Sequence, residues 1–289
     1  MDTVKSLLLA SPLDKVDAKV LLQFICQRHL GWTKEQLISN DQAQLPPELI
    51  KDWLNIQELR KQGHPVAYLT QTKSFYNIEL LVNEHVLIPR PETELLVEQA
   101  ISFIDHAFTT HQYTSEHLFR LMDMGTGSGS IILSIAEHFK STNVYQLIDF
   151  VATDLSENAL DVAKLNASTL GITPIKFFKS NWFNDLSGLG LVDLIISNPP
   201  YIANDDHHLR EGDLRFEPQL ALTDNQDGLS AYRTLANQGR LFLHAGGAMM
   251  VEHGYLQKGP IHDIFDQNGF HQISSLKDLS GHPRVTIAR

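Results

Sequence analysis

The sequence predicts an α/β protein in which a small helical domain precedes a doubly wound sheet. From residue 118 onward, apolar runs that are typical of buried strands alternate with amphipathic helical segments. Such alternation is typical of parallel strands covered by helices on both faces. A glycine-rich turn, residues 125–129, joins the first of these strands to a helix. The first ~85 residues instead have helical periodicity throughout.

Composition places the 289-residue chain among ordinary globular proteins. It is 43% hydrophobic and 20% charged, and its length suits one large domain and a smaller one. We find no apolar run of ~18 residues and no charged-then-apolar leader, so we expect no membrane span and no signal peptide. Cys26 is the only cysteine, which excludes a disulfide framework and fits a reducing, cytoplasmic environment.

Charge and histidine content argue against two further classes of function. The net charge of -11 disfavours general binding to a phosphate backbone, so we expect no direct contact with nucleic acid. The 14 histidines are scattered, and His207-His208 is the only adjacent pair. None has the spacing of a helical zinc motif, so we expect no metal site.

Helical signals dominate the N-terminal part of the chain. A first helix is expected to begin at Ser11-Pro12 and to end at Gly31. Thr33 and Gln36 have the spacing of a capping box for a short helix, and Pro46-Pro47 opens another. The apolar residues expected on the buried faces are Val16, Val20, Leu21, Phe24, Ile25, Leu49, Ile50, Trp53 and Leu54.

The periodicities divide the chain into three parts. Residues 1–72 form the helical domain, which is either a stabilising appendage or a module that docks a partner. Residues 73–90 form a β-hairpin connector, with strand-like runs at 75–82 and 86–88. Residues 91–289 form the α/β domain.

Strands and helices alternate through the α/β domain, with a long polar loop at residues 202–227. The helices are expected at 95–108, 130–139, 158–170, 229–243 and 256–268. The strands are expected at 118–124, 147–153, 175–178, 191–197, 247–252, 270–276 and 285–288.

The glycine-rich turn and an acid at the next strand's end indicate a nucleoside-binding site. Glycines let the backbone approach a ligand closely, and Asp154 is placed to accept hydrogen bonds from two ribose hydroxyls. The spacing is G-x-G-x-G rather than the G-x-G-x-x-G of dinucleotide enzymes, and no P-loop lysine follows. A cofactor without a pyrophosphate, such as S-adenosylmethionine, fits better. Trp182 either packs against the adenine or belongs to the core.

A second candidate site, Asn198-Pro199-Pro200-Tyr201, directly follows the fourth strand. Neither proline can donate a backbone hydrogen bond, and together they stiffen the turn. The groups presented are acceptors: the Asn198 side-chain oxygen and the carbonyls of Asn198 and Pro199. With the aromatic ring beside them, they can hold a planar –NH2 group. Since open α/β sheets bind ligands at strand carboxyl ends, the turn indicates an amide or base amine as substrate.

Several segments together resemble a known family, the protein-(glutamine-N5) methyltransferases that modify peptide-chain release factors, also called HemK or PrmC proteins. The resemblance runs from the helical N-terminus to Pro283-Arg284-Val285. The Asn-Pro-Pro-Tyr motif alone is shared with adenine-N6 DNA methyltransferases, whereas the Pro-Arg-Pro-Glu-Thr-Glu segment is more specific to the glutamine branch. The segments that carry the resemblance are Ile88 through Glu94, Asp123 through Gly129, Asn198 through Tyr201, and Glu217-Pro218.

The resemblance implies a seven-stranded, Rossmann-like S-adenosylmethionine-dependent methyltransferase domain and a helical domain that helps to hold the release factor. It implies methylation of the glutamine side-chain amide in the Gly-Gly-Gln motif of class I release factors, in support of translation termination. We expect the enzyme to be a monomer. At Asn181 the chain departs from the family, in which many relatives carry an acid that meets the adenine edge. The implied cofactor contacts are Gly125, Thr126, Gly127, Ser128, Gly129, Asp154, Trp182 and Asn198.

The implied mechanism depends mostly on positioning, because a carboxamide nitrogen is a poor nucleophile. The Asn198 side-chain oxygen and the Pro199 carbonyl would accept the two N–H bonds of the glutamine amide. Pro200 completes the substrate-binding turn, and Tyr201 would stack on the amide plane. Glu217 is expected outside the immediate site.

Two alternative activities stay open at this point. A sister enzyme that methylates a glutamine in a ribosomal protein shares the Asn-Pro-Pro-Tyr motif. An adenine-N6 nucleic-acid methyltransferase would use the same amine-holding turn, but the acidic composition and the lack of a basic target-recognition region weigh against it. A third alternative, of a different class, is a non-catalytic binding module. Such a module would not need an intact cofactor turn, whereas this chain has both the turn and Asn198.

Overall fold

The computed structural model describes residues 2–289, which form two compact units. One unit contains the chain up to Thr72 together with Glu211–Phe216. The other contains Lys73–Arg210 and Glu217–Arg289. Residues 73–90, which we expected to form a separate connector, thus group with the second unit.

Residues 2–72 fold as short and medium helices around their own apolar core. Two start and stop signals are confirmed: the Thr33–Gln36 capping box is formed, and Gly31 ends the longest of these N-terminal helices at a left-handed φ of 67°. That helix begins at Lys15 with Asp14 as its N-cap, not at Ser11-Pro12. The helices are α1 (Val4–Ala10), α2 (Lys15–Leu30), α3 (Lys34–Ser39), α4 (Pro47–Lys61) and α5 (Val66–Thr70).

The expected buried face of α2 is partly wrong. Val16 and Val20 are 69% and 44% exposed. The buried stripe runs instead through Ala18, Leu21 and Ile25, the spacing of one helical face. Two overlapping stripes satisfied the 3.6-residue period and share Leu21 and Ile25, and the stripe that is buried includes the small residue Ala18, which weighs little in a hydrophobic pattern. Leu54, also expected to be buried, is 59% exposed.

The segment Glu211–Phe216 packs against residues of the helical unit. Asp213 accepts a hydrogen bond from Arg60 Nη1 at 3.0 Å, and Arg215 Nη2 donates to the Gln62 carbonyl at 2.6 Å. The Phe216 ring lies 4.3 Å from the ring of His64. No signal in the polar loop predicted these contacts, because they join residues about 150 positions apart.

The β-hairpin is present, but its turn differs from the prediction. Strands β1 (Thr72–Phe75) and β2 (Ile78–Leu81) pair around Tyr76-Asn77, where Tyr76 adopts a left-handed φ of 53°. Residues 86–88 form no strand. The Asn83 carbonyl accepts from the Val86 amide at 3.1 Å, which makes 83–86 a turn, and the proline that follows Ile88 cannot donate to a ladder.

The α/β unit contains the expected seven-stranded sheet, with strand order β5-β4-β3-β6-β7-β9-β8. The pairings from β5 to β7 are parallel, whereas β9 is antiparallel to both β7 and β8. The short connection between β8 and β9 allows only antiparallel pairing. The strands are β3 (Phe119–Met124), β4 (Ile148–Asp154), β5 (Ile175–Lys179), β6 (Val192–Ser197), β7 (Leu243–Glu252), β8 (Ser274–Lys277) and β9 (Pro283–Ala288).

Helices cover both faces of this sheet and bury its apolar side chains. Helices α6 and α7 pack on one face, and α10 and α11 pack on the other. Helix α10 is shorter than expected because Arg240–Phe242 form a 3-10 turn and strand β7 begins at Leu243. None of the helices formed by residues 2–289 has the length and apolar character needed to span a membrane. The helices of this unit are α6 (Glu94–Thr110), α7 (Ser130–Phe139), α8 (Glu157–Leu170), α9 (Gln219–Leu222), α10 (Ser230–Gly239) and α11 (Lys258–Gln267).

The direction in which successive strands are added to the sheet reverses at β3, which has β4 on one side and β6 on the other. The chain runs outward through β4 and β5 and then returns to the other side of β3 as β6. A crevice forms at such a switch point, outside the carboxyl ends of the strands. Met124 pairs with Ser197 in the β3–β6 register, and Ser197 Oγ donates to the Met124 carbonyl at 2.7 Å. The turns that follow these two residues are therefore neighbours.

Candidate functional site

A cavity of about 510 Å³ opens at this switch point. Most of the residues singled out in the sequence line it, but Gly129, Pro199 and Tyr201 do not. Its other walls come from the segment after the hairpin and from the polar loop after β6. The predicted residues that line it are Gly125, Thr126, Gly127, Ser128, Asp154, Trp182, Asn198 and Pro200, with Asn181 beside them.

The glycines of the turn after β3 have two different structural roles. Gly125 and Gly127 have left-handed φ angles of 74° and 56°, and a Cβ on either would meet no atom within 4 Å. They therefore leave open space along the cavity wall. A Cβ on Gly129 would instead lie 2.8 Å from Leu133 Cδ1. Gly129 is buried and permits close packing of α7, which explains its absence from the cavity lining.

Asp154 joins the ends of two strands. Its carboxylate accepts from the Gly127 amide and from the Ser156 amide, both at 2.9 Å. Burial raises the pKa of Asp154, and the hydrogen bonds from backbone amides oppose that shift. Since each carboxylate oxygen can accept more than one hydrogen bond, Asp154 keeps acceptor capacity toward the cavity.

Asp123, the penultimate residue of β3, is a fully buried acid beneath the glycine turn. Its Oδ2 accepts from the Thr126 hydroxyl at 2.7 Å, while Oδ1 has no hydrogen-bond partner within residues 2–289. Burial raises the pKa of Asp123 to about 7. The motif alone gives Asp123 no role of its own, although an acid inside an apolar strand is itself a signal of function.

Trp182 forms a half-buried wall of the cavity and also packs against the core beneath α10. Its backbone has a left-handed φ of 54°. The Ser180 hydroxyl donates to the Trp182 carbonyl at 2.6 Å and so holds this turn. The apolar side chain of Leu155, which is 51% exposed, also lines the cavity. Both of the roles we considered for Trp182 are compatible with this position.

Asn198 uses its amide nitrogen within the protein. Its Nδ2 donates to the Thr93 hydroxyl at 3.2 Å. Asn198 lines the cavity, and its Oδ1 accepts no hydrogen bond from any group within residues 2–289, so this oxygen keeps its acceptor capacity.

Tyr201 is held through its backbone. Its carbonyl accepts from Gln257 Nε2 at 2.9 Å, and the same amide group donates to the Gly228 carbonyl at 3.1 Å. A Cβ on Gly228 would lie 2.4 Å from Tyr201 O. Burial raises the pKa of the Tyr201 phenol. The ring packs against the core and does not line the cavity. A substrate bound inside this cavity would therefore not contact the ring, and stacking on Tyr201 requires an approach from outside it.

A partly buried ion pair fixes the segment that resembles the glutamine branch. The Glu217 side chain has no exposed area, and it accepts from Arg90 Nη2 and from the Ile88 amide, the latter at 2.9 Å. Arg90 and Thr93 both line the cavity. Glu217 therefore lies one contact away from the cavity, in agreement with the outer position expected for it.

Asp206, His207 and His208 form an exposed cluster in the loop after β6, outside the cavity. Asp206 Oδ1 already accepts from the His208 amide at 2.9 Å and contacts its ring at 2.7 Å. Exposed groups of this kind are common in proteins without an ion, and the cluster carries no assignment.

Comparison with known proteins identifies both parts of the chain. Residues 2–70 match the family model described as a PrmC N-terminal domain, and residues 116–274 match a methyltransferase domain. Among solved structures, the hMettl16 catalytic domain in complex with a 3'UTR hairpin has a TM-score of 0.50 at 14% identity, covering 84% of this chain and 80% of that one. At that identity the likeness shows the fold alone.

Curated relatives extend the match over nearly the whole chain. A release factor glutamine methyltransferase from Burkholderia pseudomallei is 40% identical, covering 99% of this chain and 96% of the relative. One from Neisseria gonorrhoeae is 38% identical, covering 96% and 94%. The resemblance and the predicted fold class are thereby confirmed, and the chain belongs to the release factor glutamine methyltransferase family.

Proposed function

We propose that this protein transfers a methyl group from S-adenosylmethionine to the side-chain amide nitrogen of the glutamine in the Gly-Gly-Gln motif of class I release factors. The observation that carries the proposal is the position of Asn198. Its amide oxygen is available at the switch point, next to a glycine turn that leaves room for a nucleoside. Membership in the family supports the same substrate.

The residues around the cavity fit S-adenosylmethionine. The open space beside Gly125 and Gly127 would admit the cofactor close to the backbone. Asp154 has acceptor capacity for ribose hydroxyls, and Trp182 and Leu155 offer apolar surface to a planar base. Thr126, Ser128 and Asn181 add polar groups to the same lining. When bound, the cofactor supplies an electrophilic methyl group.

The residues of the turn after β6 would position the acceptor amide. The Asn198 oxygen and the Pro199 carbonyl accept its two N–H bonds, which fixes the nitrogen and stabilises the positive charge that develops on it. Pro199 is buried and Pro200 is half-buried, so the turn that carries these acceptors is stiff. Tyr201, whose carbonyl is held by Gln257, would stack on the amide plane.

The helical unit would supply contacts to the release factor outside the Gly-Gly-Gln loop, which makes the intact factor a better substrate than a short peptide. The glycine pair before the glutamine suits a narrow entrance, since bulk there would hold the side chain away from Asn198. In this proposal the partner is a folded protein and not nucleic acid, and the enzyme acts as a cytoplasmic monomer.

The test offers the protein four substrates with labelled cofactor. These are the intact release factor, its variant with alanine in place of the motif glutamine, a ribosomal-protein preparation and methyl-free DNA. We expect label in the intact factor alone. Undiminished label in the alanine variant would contradict the proposal, while label in the ribosomal protein or in DNA would favour one of the two alternative activities.

A further inference from the structure

Strand register brings a buried acid next to Asn198. Strands β6 and β7 are parallel, and Ser197 pairs with Val251. The residues that follow, Asn198 and Glu252, therefore stand side by side at the carboxyl ends of adjacent strands. Glu252 ends an apolar run and is 1% exposed.

Packing does not explain a carboxyl group at this position. Glu252 Oε2 is buried and has no hydrogen-bond partner within residues 2–289. A buried carboxyl oxygen without a partner is destabilising, and an apolar residue of similar size would avoid that cost. Buried polar groups of this kind call for a role other than stability.

Thr93 links Glu252 to Asn198. It is 3% exposed and follows Glu92 in the short turn before α6. The side chains of Thr93 and Asn198 lie close enough to the Glu252 carboxyl group to lower its pKa, and Asn198 Nδ2 donates to Thr93 Oγ1 at 3.2 Å. When Glu252 is ionised its carboxylate can only accept, so the single hydroxyl proton of Thr93 is then directed toward it. The Thr93 oxygen is then left to accept from the Asn198 amide nitrogen.

The two ends of an asparagine amide have almost the same shape, so packing alone does not decide which end faces a ligand. If the oxygen faces the acceptor amide, it receives an N–H bond. If the nitrogen faces it, two donors oppose each other. The direction of the hydrogen bonds behind Asn198 therefore decides whether the turn can hold an –NH2 group at all.

We infer that Glu252 is a positioning residue, which acts with Thr93 to fix the Asn198 amide so that its oxygen and not its nitrogen meets the acceptor amide. This inference rests on the proposed function, because it concerns the group that accepts the methyl. Glu252 does not line the cavity, so in this inference it acts through Thr93 and Asn198 and not by contact with the substrate.

The charges that face Glu252 act in opposite directions. Burial raises its pKa to about 7, Arg284 on β9 opposes that shift, and Glu92 adds to it. The hydroxyl groups of Tyr201 and Tyr232 are also close enough to interact with the carboxylate. Arg284 thus favours the ionised form, which is the form that orders the hydrogen-bond chain.

The experiment compares Thr93→Val with Thr93→Ser, and Glu252→Gln with wild type. Valine keeps the shape of threonine without the hydroxyl, and serine keeps the hydroxyl. Glutamine keeps the shape of glutamate, but either the oxygen or the nitrogen of its amide can face Thr93, so the direction of the hydrogen-bond chain is no longer fixed. For each variant, methylation of the intact release factor is followed at saturating cofactor, the cofactor affinity is measured by calorimetry, and folding is checked by thermal denaturation.

We expect Thr93→Val and Glu252→Gln to lower kcat about tenfold or more, as when an outer partner that orients a reacting group is lost. Thr93→Ser should keep most of the wild-type rate. KM for the release factor and the calorimetric affinity should change little in all three variants. Equal rates for the valine and serine variants, or a wild-type kcat for Glu252→Gln, would overturn the inference.

A folding defect has a different signature. It would lower the melting temperature and the cofactor affinity together with the rate, and any such variant that also binds cofactor poorly would count against a positioning role. A failure of the proposed function is distinguishable as well, since wild type would then transfer no methyl group to the release factor.

Discussion

The two turns that meet at the switch point are built in different ways. The turn at residues 125–129 is shaped by its own glycines and by Asp154 at the end of the neighbouring strand. The turn at residues 198–201 is held by residues from distant parts of the chain. They are Thr93 before α6, Gly228 before α10, Glu252 at the end of β7 and Gln257 before α11.

The difference suggests how each turn tolerates change. In the proposed function, the first turn binds a cofactor through backbone shape, so one acid carries most of its side-chain chemistry. The second turn positions a reacting amide, and its accuracy depends on partners that do not touch the substrate. Substitutions at the first turn should alter affinity, and those around the second should alter rate.

The largest effect is expected for Asn198→Ala. Loss of a preorganised partner for the reacting group typically lowers the rate ~100-fold or more, while the cofactor affinity should stay near the wild-type value. Single-turnover methylation of the release factor measures the rate, and calorimetry measures the cofactor affinity. Asn204→Ala, at an exposed position in the loop that follows, is the matched control and should behave like wild type. A near-normal rate for Asn198→Ala would make Asn198 purely structural.

Asp154→Ala is expected to show the opposite pattern. In the proposed function it removes hydrogen bonds to the ribose, each worth ~1.5–3 kcal/mol when one partner is charged, and it also releases the Gly127 amide. The dissociation constant for S-adenosylmethionine should rise about tenfold or more. Asp161→Ala, which removes an exposed acid paired only with Lys164 on α8, controls for net charge. An unchanged dissociation constant would remove Asp154 from the cofactor site.

Gly228→Ala should disturb the second turn from behind. Its Cβ would stand 2.4 Å from Tyr201 O, and Gly228 has a left-handed φ of 76°. Because the clash is with backbone, the turn itself must shift, and we expect a loss of about 1–3 kcal/mol in stability, the range for strained backbone, together with a lower kcat. Gly259→Ala, where a Cβ meets nothing within 4 Å, is the control. Equal melting temperatures and rates for the two variants would contradict this assignment.

The smallest effect concerns the pH dependence of stability. Folding raises the pKa of Asp123 from 3.8 to about 7 and that of Glu252 from 4.5 to about 7. The stability contributed by their protonated forms is fully present below the unfolded pKa values of 3.8 and 4.5. It is lost as the pH rises from there through about 7. Asp123→Asn should therefore reduce the fall in the free energy of unfolding across this range. Urea denaturation below and above this pH range measures the change in the free energy of unfolding. If Asp123→Asn shows the same change as wild type, the titrating group is not Asp123.

What could be predicted from the sequence follows the same division between local and distant interactions. Helix α7 has the bounds that its pattern predicted, and Gly31 and the Thr33–Gln36 capping box are local signals that the structure confirms. The residues of the first turn and Asp154 were predicted because the glycine spacing and the acid at the end of the next strand can both be read from one stretch of sequence.

The errors and omissions arise where distant residues decide. Residues 86–88 looked like a strand, yet they form no ladder and end at a proline. The buried face of α2 depended on which of two stripes met the other helices. Glu252 was predicted only as the end of a strand, because its relation to Asn198 depends on the register between β6 and β7. Only the pairing of strands reveals it.

The most direct test of the proposed function is to locate the methyl group on the product. After incubation of the protein with S-adenosylmethionine and intact release factor, fragmentation mass spectrometry assigns the added mass to a residue. We predict a single added methyl group on the side-chain amide of the Gly-Gly-Gln glutamine, and none with the Asn198→Ala variant. A methyl group on any other residue of the factor, or one that Asn198→Ala adds at the wild-type rate, would contradict the assignment of Asn198 as the group that holds the reacting amide.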